Sequence, residues 1–155
     1  MTLDGDGVRS LRAFVPAKDF AASRRFYLEL GFTSELETEQ VALMTLGRHS
    51  FFLQNFHVEA WAENCMMQLA LDNLDDWWNR LDRDGLAARH GLRAPVPPRV
   101  QTWGLKVAFL FDPSGVLWHM LAGEATLRQV SSGSGAGVFL SLRSSLLSTG
   151  KLTQR

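Results

Sequence analysis

Few side chains of this sequence have the type and spacing for covalent or metal chemistry. Cys65 is the only cysteine, so an internal disulfide is impossible and a zinc–thiolate cluster is excluded. His119 sits in the apolar run VLWHML, with no Asp, Glu or second His beside it to make it a base. What the chain holds in quantity is aromatic surface, with five Trp and ten Phe. Trp103, between Thr102 and Gly104, and Trp61, in HVEAWAEN, both lie in polar stretches rather than in core patterns. Indole faces stack on heteroaromatic rings or cations for about 0.5–2 kcal/mol each. Recognition of a flat organic molecule is the chemistry these residues suit. Trp77, Trp78 and Trp118 fall in helix and strand patterns, where packing is the expected role.

The element that must position them is Phe14–Phe32, FVPAKDFAASRRFYLELGF. Val15-Pro16 ends a strand, because proline cannot donate to a ladder. Asp19 is the expected N-cap. Phe20, Ser23, Tyr27 and Leu30 then share one helical face with Phe26 on its shoulder, and Gly31 suits the left-handed helix stop. The plan recurs 54 residues on. Leu69-Ala70-Leu71 ends a strand, Asp72 caps, Leu74, Trp77, Trp78 and Leu81 line a helix over Asp75–Asp84, and Gly85-Leu86 closes it. The chain reads as two copies of one strand–helix–strands unit.

In order, strands are expected over Val8–Val15, Phe32–Glu37, Gln40–Leu46 and His49–Phe56, then a connection over 57–64. Strands at Cys65–Leu71, Leu105–Phe111 and Val116–Leu121 follow, the last two joined by the turn Asp112-Pro113-Ser114-Gly115. Ala87–Val100, with three of the five prolines, is expected to be a loop or a poor edge strand. The 155 residues suit one domain over 1–124, with modules about 8–58 and 65–122. Residues 125–155 form a Gly/Ser-rich linker and a basic tail.

All 16 acidic residues and 12 of the 16 bases lie within 1–124, a body of about −4. That balance argues against nucleic acid as a partner and is compatible with a cationic small molecule. MTLDGDGVRS lacks the apolar core of a signal peptide, and no stretch approaches the roughly 20 apolar residues of a membrane span. A reducing cytoplasm is the expected location.

Three stretches in order, VPAKDFAASRRFYLELGF, LALDNLDDWWNRL, and WG followed by FLFDPSGVLWHML, resemble the glyoxalase / bleomycin-resistance / extradiol dioxygenase superfamily over about Val8–Ala122. Within it the likeness is to bleomycin-resistance-type binding proteins. The resemblance implies an α+β fold, two tandem βαβββ modules whose curled mixed sheets surround a cleft, commonly in a homodimer. It also places the superfamily's metal-ligand positions at Arg12, Phe52, Met66 and His119. Only His119 is a good ligand there: a guanidinium repels a cation, phenylalanine has no donor and a thioether is too soft. A catalytic site usually needs three protein ligands, so no metal and no cofactor is expected.

By alternation Phe14, Gln54, Gln68 and Leu117 join Arg12, Phe52, Met66 and His119 on the cleft walls, with Trp103 and Trp61 at the mouth. The ten form an aromatic and thioether site for an antibiotic-like ligand. The reading is a non-enzymatic binding protein. Its alternative is a metal-dependent lyase, isomerase or dioxygenase of the same superfamily that uses His119.

Overall fold

A computed structural model describes residues 5, 7–102 and 104–123. The first module runs β1 (Phe14–Pro16), α1 (Phe20–Glu29), β2 (Thr33–Glu37), β3 (Val41–Leu46) and β4 (His49–Gln54). A short helix, α2 (Glu59–Ala62), leads to the second module. This comprises β5 (Met66–Leu71), α3 (Leu74–Arg80), α4 (Arg83–His90), β6 (Val96–Val100), β7 (Lys106–Phe111) and β8 (Leu117–Ala122). The fold is α+β. Its two four-stranded mixed sheets share one topology: sheet A is ordered β1-β4-β3-β2 and sheet B is β5-β8-β7-β6. β1 and β5 pair in parallel with β4 and β8, and the remaining pairs are antiparallel. The internal repeat read from the sequence is real at this level.

α1 forms where its signals place it. The Asp19 carboxylate accepts from the Ala22 amide at 2.9 Å, and Gly31 closes the helix at φ +104°. Ser23, Phe26, Tyr27 and Leu30 are buried. They pack on Val15, Ala42, Met44, Phe51 and Leu53 of sheet A and on Trp118 and Met120 of sheet B, making one core from both modules. Tyr27, Phe32, Phe51 and Trp118 meet edge-on or tilted, with centroids 5.0–5.9 Å apart. Burying an aromatic of this size removes about 150–250 Å² from water, roughly 4–6 kcal/mol of transfer free energy.

A buried polar cluster ties the modules further. Tyr27 Oη donates to Asp112 Oδ2 at 2.7 Å and accepts from Trp118 Nε1 at 3.2 Å. Asp112 Oδ1 accepts from the Ser114 and Val116 amides, both at 2.8 Å. Ser114 Oγ lies 3.1 Å from Ser23 Oγ and accepts from the Lys18 amide at 2.9 Å. The Asp-Pro-Ser-Gly turn of one module is thereby latched to the helix of the other.

Three local expectations fail, and one connection proves partly helical. Strand structure over Val8–Val15 is confined to Phe14–Pro16, and Val8 and Leu11 are exposed. The 57–64 connection contains a helical turn, in which Trp61 N–H reaches Val58 C=O at 2.9 Å. Asn73, not Asp72, caps α3, its side chain accepting from the Asp76 amide at 3.0 Å. Gly85 does not stop a helix. It lies inside α4, which Asp82 caps by accepting from the Gly85 amide, so Ala87–Val100, expected as a loop or a poor edge strand, starts helical and ends as the edge strand β6. The stop is Gly91 at φ +60°, where Leu92 N–H reaches Ala87 C=O at 2.9 Å. A Cβ on Gly91 would meet nothing within 4 Å. Gly91→Ala is therefore expected to cost only the left-handed backbone strain, about 1 kcal/mol, read by urea denaturation.

Candidate functional site

Sheet A buries one face and leaves the other open. Register puts four apolar side chains abreast across that open face: Phe14 beside Phe52, Phe52 beside Leu43, Leu43 beside Leu36. Phe14 is 58% exposed and Leu36 47%. A continuous apolar row left in water is unusual for a monomer surface and marks an interaction site. Along the neighbouring rung lie Ser50 and Thr45; on the other side Pro16, Gln54 and Val41.

Three of the sequence candidates meet here. The Phe14 and Phe52 rings stack at 4.9 Å with planes 20° apart. The Arg12 guanidinium lies 5.9 Å from the Phe52 centroid. Arg12 Nε donates to Ser50 Oγ at 2.6 Å and Nη1 donates to Ser10 Oγ at 2.7 Å. Among the described residues two hydroxyls, rather than a carboxylate, hold the guanidinium at the edge of an aromatic platform. A planar ligand laid on Phe14 and Phe52 would meet π surface below and a guanidinium at its rim. Gln54, one rung along from Phe52, is half-buried on the same face. Ser50 was missed in the sequence, although alternation from Phe52 puts it on this face.

The other candidates belong to sheet B or to loops. Met66 pairs with Leu117 and Gln68 with His119 across β5 and β8. Met66 and Gln68 are exposed at the strand edge. Leu117 is fully buried and packs with Leu105, Val107, Phe109 and Leu121, so it offers a ligand no surface in this chain. His119 is 4% exposed and meets the Phe109 ring edge-on at 5.0 Å. Burial pushes its pKa below the usual histidine value, leaving a neutral imidazole at pH 7. Trp61 is 68% exposed, its ring 6.4 Å from Phe56. Trp103 lies outside the described residues. Within the chain, each group of candidates packs with its own sheet.

The superfamily's metal does not fit these residues. Arg12 carries a permanent positive charge bonded to Ser50 and Ser10, Phe52 has no donor, and Met66 offers only a thioether. Among the described residues no group of three or more His, Cys, Asp or Glu side chains could hold a metal ion.

The family model described as the Glyoxalase/Bleomycin resistance protein/Dioxygenase superfamily matches residues 9–120. The chain belongs to that superfamily. A bleomycin resistance protein of Klebsiella pneumoniae is 27% identical over 117 residues, covering 71% of this chain and 89% of that protein. Among solved structures, a bleomycin-binding protein complexed with bleomycin superposes with a TM-score of 0.63 at 22% identity, covering 76% of this chain and all of that one. A lactoylglutathione lyase from Agrobacterium tumefaciens superposes with a TM-score of 0.51 at 14% identity, covering 76% and 96%. Members with such different names share the scaffold, so fold alone does not assign an activity. No described helix is long and apolar enough to cross a membrane.

Proposed function

We propose that this chain is a non-enzymatic binding protein that sequesters an aromatic, antibiotic-like molecule, without a metal, on the open face of sheet A. The observation that carries the reading is the Arg12–Phe52–Phe14 stack at the centre of an exposed apolar row. The names of the similar proteins, one a bleomycin resistance protein and one a bleomycin-binding protein, support it. Sheet A is not closed on itself, and a second copy facing its exposed row would supply the opposite wall of the ligand cleft, so the functional unit is a cytoplasmic homodimer. Neither nucleic acid nor membrane is a partner. Sedimentation at micromolar concentration is expected to give about twice the 17.3 kDa chain mass.

The test is a tryptophan-fluorescence titration of chelator-treated protein with metal-free bleomycin and a set of planar aromatic antibiotics. Saturable quenching at micromolar ligand or below, weakened in Trp103→Ala, is the expected result. The rival reading, a metal-dependent lyase, isomerase or dioxygenase using His119, requires stoichiometric metal that His119→Ala loses. Elemental analysis of the purified protein tests it directly.

A further inference from the structure

Charge is distributed unevenly between the body of the chain and the open face of sheet A. The body over 1–124 is acidic, with 16 acidic residues against 12 bases. The register places none of that acid on the open face. Beside the apolar row it sets Ser50, Thr45 and Thr33 on one side and Pro16, Gln54 and Val41 on the other. Glu37 of β2 lies across from Ala42, a core residue, and its carboxylate meets Arg24 of α1 at 2.6 Å, so it belongs to the helix side of the sheet. Among the described residues that register or hydrogen bonding places on the open face, Arg12 carries the only charge.

That guanidinium is oriented but not saturated. Nε donates to Ser50 Oγ and Nη1 to Ser10 Oγ, while Nη2 and the second N–H of Nη1 have no acceptor among the described residues. The two Nη nitrogens form the end of the fork that a carboxylate meets with two parallel bonds. Arg12 is exposed and makes no ion pair among the described residues. Its charge centre lies 5.9 Å from the Phe52 centroid. A ring system laid across Phe14 and Phe52, whose own centroids are 4.9 Å apart, would therefore reach it with a single substituent.

We propose that the site selects planar aromatic molecules that carry a carboxylate on the ring or one atom from it, and that Arg12 sets this preference. The proposal rests on the reading of this face as the ligand site and names the chemical class that it takes. The ring system lies on Phe14 and Phe52, and the carboxylate accepts from the Nη groups of Arg12. The acidic body taken as a whole favours a cation, but contact outweighs it. Its carboxylates are spread over the chain, and solvent ions screen exposed charges beyond about 8–10 Å at physiological salt. The guanidinium stands in contact with the ligand beside an apolar floor, where the effective dielectric is lower and a charge pair is stronger. A cationic ring at the same place would bring like charge against Arg12.

The experiment is calorimetric titration of the full chain with three probes that share one ring system. They are anthraquinone-2-carboxylate, its neutral carboxamide and the cationic 2-aminomethyl analogue. The carboxylate is expected to bind about tenfold more tightly than the amide, the worth of one charge-assisted pair of bonds, and the ammonium compound most weakly. Arg12→Gln is expected to bring the ratio of carboxylate to amide affinity down to about one. Arg12→Lys, which keeps the charge and loses the fork, retains part of the preference. Because Arg12 is exposed, both variants are expected to fold, and thermal denaturation checks this. Phe52→Ala is expected to weaken all three probes alike, which reads the aromatic floor separately from the charge. Equal binding of acid and amide, tightest binding of the ammonium compound, or a preference for the acid that survives Arg12→Gln overturns the proposal and leaves the floor standing. Absence of binding by all three at the highest soluble concentration overturns it together with the reading on which it rests.

Discussion

Tyr27→Phe is expected to lower stability by about 2–3 kcal/mol at pH 7.5 and by clearly less at pH 5. The hydroxyl is fully buried, donating to Asp112 Oδ2 and accepting from Trp118 Nε1. Its removal leaves a carboxylate oxygen and an indole N–H in the core without that partner, each worth about 1–3 kcal/mol. The pH dependence comes from Asp112. Burial raises its pKa from 3.8 to about 6, while the Tyr27 bond and the Val116 and Ser114 amides pull it down. A carboxyl whose folded pKa is raised binds protons more tightly folded than unfolded. Its contribution to stability therefore grows as pH falls from about 6 toward 4, and is absent above about 6, where both states are ionised. The difference from 3.8 to about 6 corresponds to roughly 3 kcal/mol between the two limits. Because the Tyr27 bond lowers the pKa, it favours the ionised form, so its loss is felt most at neutral pH. Urea denaturation of both proteins at pH 5 and 7.5 measures this, and equal losses at the two pH values would contradict it. Asp112→Asn should flatten the same window, since its amide cannot titrate.

Phe52→Ala is expected to weaken binding of any ligand that the protein sequesters by about 10–100-fold, with little loss of stability. The ring is the shared member of the platform, stacked on Phe14 and flanked by Arg12. Its removal deletes the floor of the site and frees both neighbours. A loss of about 1.5–3 kcal/mol follows from one aromatic contact and the burial it provides. The fold is spared because Phe52 lies on the face of sheet A away from the core, where it is only half-buried. Phe51, its neighbour in sequence, is 3% exposed in the common core. Phe51→Ala should show the reverse pattern, losing stability by about 3–5 kcal/mol. Calorimetric titration with thermal denaturation separates the two variants.

The contrast between Phe51 and Phe52 also shows what the sequence made legible. Strands alternate with a period of two, so HSFFLQNF by itself divides its side chains between core and open face, and the structure divides them the same way. The α1 face, the Asp19 cap, the Gly31 stop and the placement of Trp118 in the core were readable for similar reasons. Each rests on a local signal that tertiary packing reinforces. The second helix was misread because Gly85 matched Gly31 by position. Glycine stops a helix only where φ turns positive, and that need arises at Gly91, after Asp82 has capped a further helix. Val8–Val15 looked like one strand because its apolar residues alternate. A strand also needs a partner, and ladder pairing with β4 begins only at Phe14.

Legibility of the site was uneven in the same way. Arg12, Phe14 and Phe52 do come together, because two paired strands share a register. Leu117 was expected on a cleft wall, and alternation gave its face of sheet B correctly. What pattern alone could not show is that Leu117 is fully buried there, in a cluster with Leu105, Val107, Phe109 and Leu121. The latch of Asp112 onto Tyr27 joins residues 85 apart and was invisible, since a turn signal accounts for Asp112 without it.

The most direct test of the binding claim is backbone-amide NMR of the metal-stripped protein, titrated with metal-free bleomycin and the planar aromatic antibiotics. The expected result is saturable shifts with at least one ligand, centred on Arg12, Phe14, Leu43, Phe52 and Gln54. Absence of any response across the panel, or shifts confined to β7 and β8 around Phe109 and His119, would contradict a ligand site on the open face of sheet A.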